Sequence, residues 1–443
     1  MAKIVFFDTE IQPESGKILD IGAIRGDGMQ FHSHSVTSFS EFVRGHGFFC
    51  GHNIIAHDLR YLDAHISAAA PNYLAIDTLC LSPLLFPMRP YHALVKDDKL
   101  QSGSLNNPLN DAIKAKELFD DEISTYRRLP AKLRRIFCGL LCKTKQFYGF
   151  FRLMNEAPSP DLKSDIRHFF GDRICTSVDL SLLIRKVPIE LAYTLALVNT
   201  NDRHSVPPAW VLRNYPRINN VIRLLRHTPC ADGCPYCKRK LDVTARLKDI
   251  FGFDSFRTYN GEPLQEKAAR AAVEGRSLLA IFPTGGGKSI TFQLPALIAG
   301  EAARGLTVVI SPLQSLMKDQ VDNLAQRGIA DAVTINGLLS PIERAEAMER
   351  VWHQSCIFHR NPFALHPLKG FSFPGMSFAL SSTRPTASRP GAKISGWIIS
   401  ISAILSAAFR KRRIRRIGSQ FPASLPPPSR RSSATSANTS NRS

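Results

Sequence analysis

Residues Ile281 to Ser289 read I-F-P-T-G-G-G-K-S, between an apolar run, Ser277 to Ile281, and a helical pattern from Ile290. A glycine-rich turn between strand and helix leaves backbone N–H groups free to wrap a phosphate chain at a helix N-terminus. Thr284, Gly285, Gly286 and Gly287 would supply the wrap, Lys288 would reach the outer phosphates and Ser289 would hold Mg²⁺. A second candidate stands at the N-terminus, where Asp8 and Glu10 are two apart at the end of an alternating stretch, Lys3 to Thr9. Two carboxylates on one strand face can hold a divalent metal. The third is Cys230-x₃-Cys234-x₂-Cys237, with His227 three residues before it and Lys238, Arg239 and Lys240 after. Three cysteines around Gly233 and Pro235 suit a metal knuckle whose tight turn aims thiolates at one ion. The same spacing serves iron–sulfur clusters, but no glycine-rich SAM-binding pattern follows, so Zn²⁺ is the expected ion. Its fourth ligand stays open among His227, Cys138, Cys142 and Cys175.

The elements that must position these groups are those of an α/β protein of several domains, since 443 residues exceed one core. Met1 leads directly into K-I-V-F-F, with no N-terminal signal, and nine cysteines in a cytoplasmic setting point to metal or free thiols. Net charge +20 suggests a nucleic-acid partner, but it is unevenly spread. From Arg350 to Ser443 there is no Asp or Glu beside fifteen Lys or Arg, so the rest of the chain is only mildly basic. From Asp120 to about Lys248 the pattern is helical, with Leu180 to Ile184 and Ile189 to Tyr193 spaced to build a core. Ile394 to Phe409 is apolar but Ser-rich and shorter than the ~20 residues a membrane span needs, so no membrane partner is expected.

The N-terminal pair is followed by Gly51-His52-Asn53-Ile54-Ile55-Ala56-His57-Asp58, then Ile76-Asp77-Thr78-Leu79, then Asn107-Pro108-Leu109-Asn110-Asp111-Ala112 opening a helix. The order D-x-E, H-N-x-x-x-x-D, N-D-A resembles the DnaQ-like 3′-to-5′ exonucleases over residues 1–125. The resemblance implies an RNase H-like domain. Asp8, Glu10, Asp58 and Asp111 would then hold two Mg²⁺ (or Mn²⁺) ions, one activating a water and one steadying the leaving oxygen. The family places a histidine five residues before the last acid, as general base. This chain has Asn106 there, and His92, five residues before Asp97, is the candidate that remains.

Further on, Leu247 to Phe253, Phe256-Arg257 and Gln265 precede the glycine-rich loop, whose P-T-G-x-G-K-S form departs from the strict pattern at Phe282. Phe292 to Ala296 and Val308 to Gln320 follow. Together these resemble the RecQ helicase family over about residues 246–349, implying that Gln265 contacts adenine, that ATP is the nucleotide and that DNA is the partner. The family's Asp-Glu-x-His strand should come next, yet no acid follows Glu349. Ile394 to Ile404 is what appears when codons for a RecQ-like F-R-V-D-Y-L-Y-I-G-D-F are read one base out of register. The expected organisation is therefore an RNase H-like exonuclease domain at 1–125, a mostly helical cysteine-bearing connector at 126–245, and a partial RecA-like P-loop lobe at 246–350. An out-of-frame, disordered tail at 351–443 completes it, and helicase activity is expected to be absent.

Overall fold

The alternating stretch at the N-terminus forms strand β1 (Ile4–Ile11). The computed structural model describes residues 3–89, 91–94, 107–200, 207–283, 285–310, 314–335, 339–353, 357–360, 377–381 and 394–400. All of them lie in one compact unit, Met1–Ser406. β1 pairs antiparallel with β2 (Ile18–Arg25), and β2 with β3 (Gln30–Ser33). Helix α1 (Val36–Val43) returns the chain to β4 (Phe48–Gly51), parallel to β1, and α2 (Leu59–Ala69) leads to β5 (Leu74–Asp77), parallel to β4. The sheet order is β3-β2-β1-β4-β5. Helices α3 (Thr78–Leu85) and α4 (Pro108–Arg128) follow.

Each face of β1 has its own core, because successive side chains of a strand point to opposite sides. Val5 and Phe7 pack with Phe39, Phe49, Leu62 and Ile66, from α1, β4 and α2. Phe6 faces α4, with its ring centroid 5.8 Å from that of Phe119. The same alternation sends Asp8 and Glu10 toward α4. The core on that face runs on into α5 (Ala131–Leu141), α6 (Tyr148–Met154), α7 (Leu162–Phe170), α8 (Leu180–Lys186), α9 (Pro188–Asn199), α10 (Ala209–Asn214) and α11 (Ile218–Arg226). Phe137, Phe150, Phe170, Leu191 and Leu225 share one buried cluster with Phe6 and Phe119. The apolar runs in α8 and α9 thus build core, as their spacing suggested.

The last part comprises α12 (Pro235–Lys240), α13 (Val243–Phe251), α14 (Leu264–Val273), β6 (Leu278–Pro283), α15 (Ile290–Ala303), β7 (Thr307–Ile310), α16 (Gln314–Ala325), β8 (Ala332–Ile335) and α17 (Pro341–His353). Beyond residue 350, where the sequence leads to an expectation of no stable fold, the described residues end α17 and form β9 (Ile357–Arg360), β10 (Ser377–Ser381) and β11 (Ile394–Ser400). The rest of 351–443 lies outside the described residues. The second sheet runs β6-β11-β10-β7-β9-β8, and β11 is antiparallel to both its neighbours. The run I-S-G-W-I-I-S suits a pleated strand by β-branched and aromatic content alone. Among the described residues no helix is long and apolar enough to cross a membrane.

One close approach fixes α4 on the first sheet. Gly22 lies directly opposite Asp8 in the β1–β2 ladder. A Cβ built on it would stand 2.0 Å from the Leu109 backbone nitrogen and 2.2 Å from the Pro108 carbonyl carbon. Only glycine lets the first turn of α4 sit this low. Gly22→Ala should therefore lower the unfolding free energy by about 3 kcal/mol, the upper range for overpacking, in denaturant titration. A loss under about 0.5 kcal/mol, the range of neutral surface changes, would mean that the contact is not made.

Candidate functional site

The acids expected to share a site come from three elements that meet at the C-terminal end of β1. Asp8 and Glu10 are half-buried on the α4 face. Asp111 stands in the first turn of α4, whose N-cap Asn107 accepts the Leu109 N–H at 3.0 Å. Because Leu109 lies against Gly22, and Gly22 opposite Asp8, the start of α4 is brought to Asp8. Asp58 arrives differently. β4 pairs with β1 only as far as Phe6 and Cys50, then continues toward β5, so a gap opens beside Thr9. The Asp58 carboxylate closes it, its Oδ1 accepting the Thr9 N–H at 3.0 Å and the Thr9 hydroxyl as well. Asp58 is thereby tied to the residue between Asp8 and Glu10. Its Oδ2 lies 3.6 Å from His57 Nδ1, and burial, opposed by the bonds from Thr9, raises its pKa.

Two further acids have roles that the sequence reading does not assign. Asp20 lies opposite Glu10 in the ladder, on the same face, and its Oδ2 is 2.6 Å from His32 Nε2 on β3. Only the hairpin register reveals it. Asp77, 2% exposed, latches the loop that carries Asp58. Its Oδ1 accepts the N–H groups of Asn53 at 2.8 Å and Leu79 at 3.0 Å, and its Oδ2 that of Ile55 at 3.0 Å. Such a latch is recognisable in sequence only as an Asp followed by a helix start. His92 is also buried, with Nδ1 2.8 Å from the Ser82 hydroxyl on α3 and Nε2 unpartnered among the described residues. Burial lowers its pKa to about 4, so it is neutral at pH 7. Asp97 and Asn106 lie outside the described residues.

The glycine-rich loop joins β6 to α15 as expected, with Gly285 at φ +77° and Gly287 at φ +63°. Thr284 lies outside the described residues. Side chains from the segment before α14 hold the loop carbonyls. Arg257 donates to Gly285 O at 2.9 Å, Tyr259 to Gly286 O, and Gln265 Nε2 to Gly287 O at 2.7 Å. Gln265 is 4% exposed and accepts the Arg257 N–H at 2.8 Å, so here it braces the loop. One N–H and one lone pair remain on its amide for a base. Phe282, where the strict pattern has Gly, is buried as the last inward residue of β6, its ring 5.1 Å from Tyr259. Lys288 folds back to Pro283 O at 3.2 Å, and burial lowers its pKa. Gln320 Nε2 on α16 lies 3.4 Å from the Ser289 hydroxyl, joining the two motifs.

The cysteine knuckle gains its fourth thiol from Cys175, and the four sulfurs lie within 4.8 Å of one another. Cys138 instead donates to Glu156 O at 3.2 Å, and His227, half-buried, does not join the group.

The Asp77 latch carries a pH signature. Burial pushes its carboxyl up to about 6, against bonds from Ile55, Asn53 and Leu79 that pull it down. Between the ordinary Asp value and about 6 the unfolded carboxyl is ionised while the folded one keeps its proton, so stability falls as pH rises through that window. The unfolding free energy of the wild type relative to Asp77→Asn should drop by up to about 3 kcal/mol between roughly pH 4 and 6.5. A difference that does not vary with pH would show that Asp77 is not desolvated.

Residues 262–367 match the DEAD/DEAH box helicase family. The chain is 43% identical over 111 residues to ATP-dependent DNA helicase Q5 of Rattus norvegicus, 25% of this chain and 10% of that protein. It is 44% identical over 108 residues to ATP-dependent DNA helicase RecQ of Synechocystis sp., 24% of this chain and 20% of that one. Against ATP-dependent DNA helicase RecQ of Haemophilus influenzae it is 49% identical over 83 residues, 19% and 12%. The chain thus spans between a tenth and a fifth of the length of these relatives. Residues 262–367 are thus similar to a DEAD/DEAH box helicase segment, and the three relatives named are ATP-dependent DNA helicases, two of them RecQ.

Proposed function

We propose that the chain joins a DnaQ-like 3′-to-5′ exonuclease, residues 1–125, through the helical connector to part of a RecQ-like ATP-binding lobe, and that it acts on DNA in repair or recombination. The observation that supports the nuclease reading is the pair of contacts at β1, Thr9 to Asp58 and Gly22 to Leu109, which bring the Asp58 loop and the first turn of α4 to the strand that bears Asp8 and Glu10. The sheet order β3-β2-β1-β4-β5, with β1, β2 and β3 antiparallel in turn and β4 and β5 parallel to β1, supports an RNase H-like fold. The donors are all carboxylate oxygens, the set that hard divalent cations take. Bound Mg²⁺ or Mn²⁺ would supply an activated water and a counter-charge for the leaving 3′-oxygen. Asp8 and Glu10 present two carboxylates from one rigid strand face, Asp58 fixes the third through Thr9, and α4 carries Asp111 to them.

At the other end, Lys288, Ser289 and the Gly285–Gly287 turn make a cradle for ATP and Mg²⁺. Hydrolysis is a separate matter. No acid lies anywhere in residues 350–443, so β10 and β9, the two strands that flank β7, carry none to orient a water. Leu279 and Ile281 on the outer face of β6 are 62% and 57% exposed, whereas a complete α/β lobe covers both faces of its sheet. We infer that the chain binds ATP without turning it over. A second reading, a DNA binder without catalysis, draws on the burial of His92 and its bond to Ser82.

Excision of a 3′-labelled single strand separates the two. The wild-type chain should release 3′ mononucleotides with Mg²⁺ or Mn²⁺, and Asp8→Ala should fall to background while still binding the strand, with no DNA-stimulated ATP hydrolysis in either preparation. Equal release by both proteins would remove the nuclease reading. No release by the wild type would leave the DNA-binding one.

A further inference from the structure

We propose that Cys175, Cys230, Cys234 and Cys237 hold a single zinc ion that staples the α7–α8 segment of the connector to the knuckle packed against the P-loop lobe. The cysteines come from two segments. Cys230, Cys234 and Cys237 form a knuckle, with Gly233 at φ +57° making the turn and Cys237 in the first turn of α12. Within it the Cys234 N–H donates to Cys230 Sγ at 3.2 Å, the kind of bond that orients and stabilises a thiolate ligand. Cys175 sits between α7 and α8, 59 residues before Cys234, and its N–H donates to Leu225 O at 2.7 Å at the end of α11. The Sγ atoms of Cys175 and Cys234 are 3.9 Å apart.

The separations decide the kind of centre. Zn–S bonds of about 2.3 Å in a tetrahedron place their sulfurs about 3.8 Å apart. A cubane iron–sulfur cluster, whose irons stand at separate corners, spreads its four thiolates to about 6 Å. All four sulfurs here lie within 4.8 Å of one another, which fits one ion and leaves no room for a cluster. Four thiolates around Zn²⁺ carry a net negative charge, and Lys238 lies over the Gly233 turn, its Cε 3.2 Å from where a Cβ would stand. A closed set of four protein ligands leaves no position for water, so the ion is structural. Its place says what it joins. Cys175, Cys234 and Cys237 belong to the same buried cluster as Val243, Leu247 and Phe251 of α13 and Phe292 and Leu294 of α15, the helix that begins at the P-loop.

Elemental analysis of the full chain, purified without chelator, tests this. One zinc per chain is expected, falling to under half in Cys175→Ser and in Cys234→Ser, and unchanged in Cys138→Ser, whose thiol lies elsewhere. Iron with acid-labile sulfide, no metal at all, or full zinc occupancy in Cys175→Ser would each overturn the proposal. Should the variants fail to fold, Co²⁺ exchanged into the wild-type chain gives the same answer. A thiolate-to-cobalt absorption of four-sulfur intensity supports Cys175 as a ligand, and that of three sulfurs rejects it.

Discussion

The structure of the N-terminal half depends on one contact, backbone against backbone, where the first turn of α4 rests on Gly22 of β2. A helix usually stands about a side-chain layer, ~10 Å, from what it covers. Here that layer is missing at one point, and Asp8 is the residue directly opposite in the ladder. The same helix buries Phe119 against Phe6 and carries the core onward through Tyr126 to the connector. The spacing between Asp8 and Asp111 is therefore set by packing of the whole α4 face, and not by a loop.

Asp58 shows a complementary device. A parallel strand that parts from its neighbour leaves a backbone donor open, and an open buried donor costs stability. The chain satisfies the Thr9 N–H with the carboxylate of Asp58, one of the acids of the proposed metal site. Asp77 then holds the loop that delivers Asp58, through three backbone N–H groups. Two buried acids, Asp77 held by three backbone N–H groups and Asp58 by the backbone and the short side chain of Thr9, make a rigid support that does not rely on long flexible side chains.

Much of this was legible in the residues. The D-x-E alternation gave the shared face of Asp8 and Glu10, the Asn107-Pro108 pair gave the start of α4, and the glycine-rich loop fell between β6 and α15. Long-range partners were not legible, because spacing along a chain carries no information about strand register or about which of several distant cysteines returns. Asp20 became visible through the β1–β2 register, and Cys175 was one of four candidates until α7 and α11 set its position. Gln265 was expected to face a base. Its bonds to Gly287 and Arg257 show that it braces the glycine-rich loop, a role that no motif spacing implies.

The four-acid site is tested most directly by a Mn²⁺ titration of the nucleotide-free chain, followed by electron paramagnetic resonance. Without nucleotide the P-loop offers little to the ion, and the four thiols disfavour so hard a cation. Binding of two Mn²⁺ per chain, weakened by about tenfold or more in Asp8→Ala and in Asp111→Ala, is the expected result. The same affinity and stoichiometry in the wild type and both variants would contradict a metal site built by β1, the Asp58 loop and α4.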